Sequence, residues 1–489
     1  MECVNYQGLY QAAMRCKQGK SGSGQAQAYN SQLIDQLSTT LAALQSYSWR
    51  PGTMRCFIAT NGVKPREIHA PDYADRVVHH WLIPRLTQLI EPKFIYHSCA
   101  NREGKGTHFA VNQLQKMMRQ QGAGGYYLQL DIFNFFYSID RTILNQQLNR
   151  HLEQAEKKGK ISRSEQRDYL WLIGQLLFQP ITVHQQGRND AIPYHKQWKN
   201  IPPDKGLPIG NLSSQFFANV YLNELDQFIK HQLKCCHYIR YVDDFILLSE
   251  SRESLLQQKI AIEQFLMERL QLRLKPESVV AECRQGVDFL GYIIRPHYKL
   301  VRRRVVHNLK QKLAAFEQKW VRTTQQGVEI NAAQFDQLRA LLASYRGHFS
   351  HAQSWHIMEK IGRQFISLAY SRKTPGFESL RQQWCCFRRH YPGFILLIQK
   401  GRNWIFDHPG LLHLFAARGV SLPRNNLWGN HHFYELPLGL LRTALTHLRN
   451  SRQPWLWISE QGYSHNRLKQ RQISKIFIPH HYSPPLKSQ

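Results

Sequence analysis

Apolar residues recur along this chain with two different periods, and each period marks a kind of element. Leu33, Leu37, Leu41 and Leu44 are three or four apart, which predicts a helix over 31–47. The Gly-, Ser- and Gln-rich stretch 18–30 predicts a mobile loop. A helix is expected over 73–90, kinked at Pro84. Gly122, Gly124 and Gly125 mark a loop. After it, Leu128 and Leu130 alternate with Gln129 and Asp131, the pattern of a half-buried strand. Residues 183–206 read as a loop or hairpin. Helices are expected from about Ser213 to His231 and over 251–272. The second has Leu255, Leu256, Ile260, Phe265 and Leu266 on its apolar side. A helical stretch runs from about 300 to Tyr370, residues 372–385 read as a connector, and 386–480 have apolar runs of their own. No fixed-period repeat occurs.

Candidate chemistry sits in the strands. In HYIRYVDDFILLSE, residues 237–250, two apolar runs meet at Asp243 and Asp244, which predicts a tight β-hairpin with carboxylates at its tip. Side chains alternate along a strand, so only one of the pair is expected to aim squarely at a given site. Two like charges this close repel unless a cation holds them, and Mg2+ takes one or two carboxylates plus substrate phosphates. Asp131 ends the earlier strand. An Asp at a strand end beside a double-Asp hairpin is what a two-metal phosphoryl-transfer site needs.

Charge changes the picture further. Lysine and arginine number 64 against 34 Asp and Glu, a formal net charge of +30. A polyanion, most often nucleic acid, is the natural partner of such an excess. Mean hydropathy is −0.48, and no run of about 18 apolar residues suggests a membrane span. The start, MECVNYQGLYQAAMRCKQGK, has no apolar signal-peptide core. The nine cysteines form no C-x-x-C pair, so reduced thiols are expected, without a zinc ribbon or a disulfide framework.

These residues resemble the reverse transcriptases. YVDD, 241–244, looks like the family's catalytic box. Asp131 with Phe136 looks like its first metal-binding motif and sugar gate. GLPIGNLSSQFFANVYLNELDQF, 206–228, resembles the motif under template and nucleotide, and VDFLGYII, 287–294, the primer-grip hairpin. KPREIHAPDYADRVVHHWL, 64–82, resembles the fingers motifs, with Arg66 in the triphosphate-contact place and Lys64 beside it. The resemblance covers roughly 50–300, in family order. Ile209-Gly210 followed by Ser214-Gln215, with DRVVHH, YHSCANREGKGTH and SYRGHFSHA, is similar to the reverse transcriptases of diversity-generating retroelements. One departure is Ser278 in LRLKPES, where related motifs carry a lysine; Lys275 could substitute for it in protonating the leaving pyrophosphate.

The resemblance implies an α+β fold: a right-hand polymerase of fingers, palm and thumb with an additional small C-terminal α/β domain. Its expected parts are an N-terminal extension (1–49), fingers and palm (50–300), a thumb (301–371) and the C-terminal domain (386–480). It implies an RNA-directed DNA polymerase that copies a template RNA into cDNA with errors opposite adenine. Asp131, Asp243 and Asp244 would hold two Mg2+ ions, with Mn2+ as the alternative. Lys64, Arg66, Phe136, Ile209, Gly210 and Gln215 would meet the nucleotide or template, and Arg302, Arg303 and Arg304 the phosphates of a duplex. Implied partners are template RNA, cDNA, dNTPs and a small, basic helical-bundle accessory protein, in the prokaryotic cytoplasm and away from membranes. The alternatives are a defence-associated or retron-like enzyme, or a catalytically idle RNA-binding protein. Residues 391–424 and WLWISEQGY resemble the mismatch-sensing N-terminal domain of MutS proteins. That family's reading residues would fall at Asn403 and Ile405, so a docking module is expected rather than a sensor. An HNH-type nuclease at His431 and His432 lacks supporting ligand spacing.

Overall fold

The computed structural model describes residues 1–19, 23–59, 65–122, 124–178, 183–186 (backbone), 192–371, 379–425, 432–463 and 469–482. Lys64 and His431 lie outside them. Two compact units form, Met1–Lys299 and Leu300–Gln489.

In the first unit, helices Tyr6–Lys17, Gly24–Ser31 and Leu33–Gln45 precede helix Tyr73–Ile90. Leu9, Ala12, Ala13, Leu37 and Leu44 are buried in one core with Val77, Trp81 and Leu86. The described helices within 1–49 are therefore part of this core. The loop expected over 18–30 is helical from Gly24: Ser23 accepts from the Ala26 amide, and Ala26 and Tyr29 are buried. Two apolar residues in a polar stretch were enough for burial. The helix Tyr73–Ile90 runs through Pro84. Proline has no N–H for the carbonyl four residues back, and Arg15 Nη2 bonds that carbonyl, of His80, at 3.2 Å.

Two sheets position the site. One is four-stranded and antiparallel, in the order His237–Tyr241, Asp244–Ser249, Tyr126–Asp131, Val279–Glu282. Helix Leu212–Gln227 and its extension Phe228–Gln232 match the expected helix. Helix Arg252–Leu270 buries Leu255, Ile262, Leu266 and Leu270. Leu256 and Ile260, expected on that face, are exposed, because the buried stripe keeps to a narrower spacing. The second sheet pairs Met54–Ala59 with Arg66–Ala70 antiparallel and with Val183–Gln186 parallel. Residues expected as a loop or hairpin over 183–206 thus supply a strand, paired parallel to a distant one.

The second unit contains an eight-stranded sheet. Helix Arg303–Trp320 leads into strands Val321–Thr323 and Gly327–Asn331, so the continuous helical stretch expected to Tyr370 is interrupted by a hairpin. Val321, Val328 and Ile330 supply β-branched residues on either side of the turn. Gly327–Asn331 pairs along Lys469–Pro479. At Gly327 a Cβ would lie 2.3 Å from the Ile478 carbonyl oxygen, so only glycine permits this approach. Segments 301–371 and 386–480 accordingly share one sheet and one compact unit. Helix Leu380–His390 crosses the expected connector boundary; Gln383, Trp384 and Phe387 are buried, and Trp384 meets Phe433 at 4.6 Å. Among the described residues no helix is long and apolar enough to cross a membrane.

Candidate active site

Asp131 closes its strand directly opposite Asp244, which opens the next. Asp243 shares with Val242 the two-residue turn that returns to Tyr241, itself opposite Asp244. Because Asp243 lies in the turn, strand alternation does not govern it, and the charge of Asp131 reaches both neighbours. Burial pushes Asp243 up to about 6; Asp131 adds to this, while the Lys275 and Arg66 cations oppose it. Burial likewise pushes Asp244 up to about 7, against a hydrogen bond from Gln129, with Asp131 and Asp243 raising it further. Gln129 Nε2 donates to Asp244 Oδ1 at 3.1 Å. Lys275 Nζ contacts Asp131 Oδ2, and the other oxygen, Oδ1, is buried without a hydrogen-bond partner. Three carboxylates near enough to feel one another's charge, one with a buried oxygen that has no hydrogen-bond partner, offer the oxygen donors that hard divalent cations take.

The turn is held from below. Val242 has φ 58°, a rare conformation for a β-branched residue. Arg240 Nη1 donates to the Val242 carbonyl at 3.0 Å. Arg240 is buried and paired with Asp226 at 2.6 Å, and it also bonds Asn219 and Ser98. Tyr238 OH donates to the same Asp226 at 2.7 Å. Sequence reasoning missed this network. Tyr238 and Arg240 do share a face by alternation, but nothing in the sequence pairs them with Asp226.

The other expected residues fall in several places. Arg66 is exposed on strand Arg66–Ala70, and its charge reaches Asp243. That strand touches the Ile209-Gly210 segment: the His69 amide donates to the Ile209 carbonyl at 2.8 Å. Gly210 has φ 119°, and a Cβ there would lie 2.9 Å from Ile68 Cγ2 and 3.1 Å from the His69 carbonyl oxygen. Gln215 is exposed in the first turn of its helix. Phe136 is half-buried beside Phe135, at 5.4 Å between rings, and its carbonyl accepts from the Leu207 amide at 2.7 Å. Strands Val287–Phe289 and Tyr292–Ile294 form the expected hairpin. In the second unit, Arg302 stands just before helix Arg303–Trp320, and Arg303 and Arg304 are exposed in its first turn. Ile405 is buried and Asn403 bonds Glu435 at 3.0 Å, so both are absorbed in their sheet.

Carboxylates at the adjoining ends of the two central strands of an antiparallel sheet, within a mixed α/β fold, are the groups that a metal-dependent phosphoryl-transfer centre would use. Residues 59–294 match the family model for reverse transcriptase (RNA-dependent DNA polymerase), and this stretch is a reverse transcriptase domain. Similarity extends to the group II intron-encoded protein LtrA of Lactococcus lactis subsp. cremoris and to its counterpart in strain MG1363. Each is 22% identical over 326 residues, covering 53% of this chain and 50% of theirs. The chain thus spans about half the length of the curated relatives it matches.

Proposed function

We propose that this protein is an RNA-directed DNA polymerase of the diversity-generating retroelement type. The observation that carries the polymerase reading is the triad: Asp131 and Asp244 in direct register, Asp243 in the adjoining turn, and an unpartnered buried oxygen on Asp131. Asp131, Asp243 and Asp244 would hold two Mg2+ ions, with Mn2+ as the alternative. Such ions activate a primer 3′-hydroxyl and neutralise triphosphate charge. Arg66, exposed and within electrostatic reach of Asp243, binds the triphosphate. Phe136 closes the space of a ribose 2′-hydroxyl and selects deoxynucleotides. Gly210 lets the backbone approach the nucleotide, and Gln215 faces the template. Lys275 supplies a proton to the leaving pyrophosphate. Arg302, Arg303 and Arg304 bind duplex phosphates, with fingers and palm in the first unit and the thumb in the second. A small, basic helical-bundle protein is the expected accessory partner. The finer type rests on the I-G-x-x-x-S-Q motif at 209–215.

Primer extension on an RNA template tests the reading. Asp243→Asn should abolish cDNA synthesis while RNA binding, measured by filter retention, persists. Retained extension would remove the triad from catalysis. Sequencing the native cDNA should show errors concentrated opposite adenine; an even error spectrum would exclude the finer type and leave the polymerase.

A further inference from the structure

A second cluster lies outside the carboxylate site. Cys56 and His69 are directly opposite each other on paired antiparallel strands. Glu67 is two residues before His69, so all three side chains share one face of the sheet. All three are buried, and their ligand atoms lie within 4.8 Å of one another. Cys56 Sγ is 3.3 Å from Glu67 Oε1, and His69 Nε2 is 3.6 Å from the same oxygen.

A hydrogen-bonded cluster does not account for these groups. The thiol can donate to Glu67, but both ring nitrogens of His69 are buried without a hydrogen-bond partner. Leaving a buried polar group without a partner is costly. A cation among the three groups would use one histidine nitrogen, the thiolate and a carboxylate oxygen together. Tetrahedral zinc bond lengths give sulfur–oxygen and nitrogen–oxygen separations of about 3.5 and 3.3 Å, close to the spacings observed. The other Glu67 oxygen accepts from the Trp198 amide at 2.8 Å, the kind of outer bond that orients a ligand.

We propose that Cys56, Glu67 and His69 form a binding site for a borderline-soft divalent transition metal of the zinc class. The mixed sulfur, nitrogen and oxygen donors separate it from the all-oxygen triad. The site is structural: the His69 amide holds the Ile209 carbonyl, so fixing the His69 ring fixes the strand that carries Arg66.

The full-length native protein, purified from zinc-supplemented culture and dialysed, should retain about one zinc per chain by elemental analysis. Cobalt(II) added to zinc-free protein should give a thiolate-to-cobalt charge-transfer band. Cys56→Ser should remove that band, and His69→Gln should weaken zinc binding about tenfold or more. Native protein that retains no zinc and shows no thiolate band would overturn the proposal. A band that survives Cys56→Ser would do the same by placing the thiolate elsewhere. The native measurements decide the matter even if a variant fails to fold.

Discussion

Lys275 is the cation nearest the triad: its ammonium contacts Asp131, and its charge lowers the pKa of both Asp243 and Asp244. Free of metal, carboxyl groups raised to about 6 and 7 hold protons below those values, so protons compete with the divalent cation and activity falls as pH drops through 7 and then 6. Lys275→Ala removes a stabiliser of the anions and raises both groups further. The acid limb of the primer-extension rate should move to higher pH, with a larger loss near pH 6.5 than near pH 8.5. An unmoved limb would show that Lys275 acts on the leaving group alone. Ile209 is a different case, since its backbone is anchored to His69 while its side chain has no donor or acceptor. A glutamine there could tether the nucleotide. One such bond is worth about 1 kcal/mol, roughly a five-fold change in an error ratio. Ile209→Gln should lower misincorporation opposite adenine more than opposite other bases, read by deep sequencing of cDNA from both proteins on one RNA. Equal spectra would leave Ile209 a marker of lineage.

The hairpin is the element on which the site turns. Its register puts Asp131 against Asp244, and its turn stores an uncommon φ at Val242 that Arg240 holds through the carbonyl. Breaking one side of a buried ion pair leaves the other charge uncompensated, at about 3–5 kcal/mol. Arg240→Met should therefore lower the melting temperature sharply. Adding Asp226→Leu should restore much of it, because a buried pair is often replaceable by apolar groups. Activity should stay low in both, since the Val242 carbonyl has lost its donor. Full recovery of cDNA synthesis in the double variant would show that the turn needs no support. The hairpin itself was legible because alternation and the paired aspartates are local signals. So was the strand ending at Asp131. The support was not legible, because Arg240 and Asp226 meet only when a helix packs under the sheet. The helix Gly24–Ser31 escaped for a related reason: Ala26 and Tyr29 bury against neighbours that no local window contains.

At the scale of the molecule, a net charge of +30 should make nucleic-acid binding steeply salt-dependent. Each neutralised phosphate adds about −0.9 to the log–log slope for duplex and about −0.7 for a single strand. Three arginines at the start of helix Arg303–Trp320 oppose its dipole, so helix stability does not explain them. Replacing Arg302, Arg303 and Arg304 with alanine should flatten the slope for an RNA–DNA hybrid by roughly 0.9 for each phosphate that is no longer neutralised. Fluorescence anisotropy across a salt series measures this, and an unchanged slope would take these residues off the duplex path. Composition made the charge legible, but it could not show that 301–371 and 386–480 share a sheet. Pairing between Gly327–Asn331 and Lys469–Pro479 leaves no trace in local periodicity. That pairing also sets an order of events during synthesis. At about 5–20 residues per second, a ribosome needs about 8–30 s to travel from the first of these strands to the end of the second. Throughout that interval the nascent hairpin has an unsatisfied β-edge, the kind of surface that invites chaperones or a neighbouring chain.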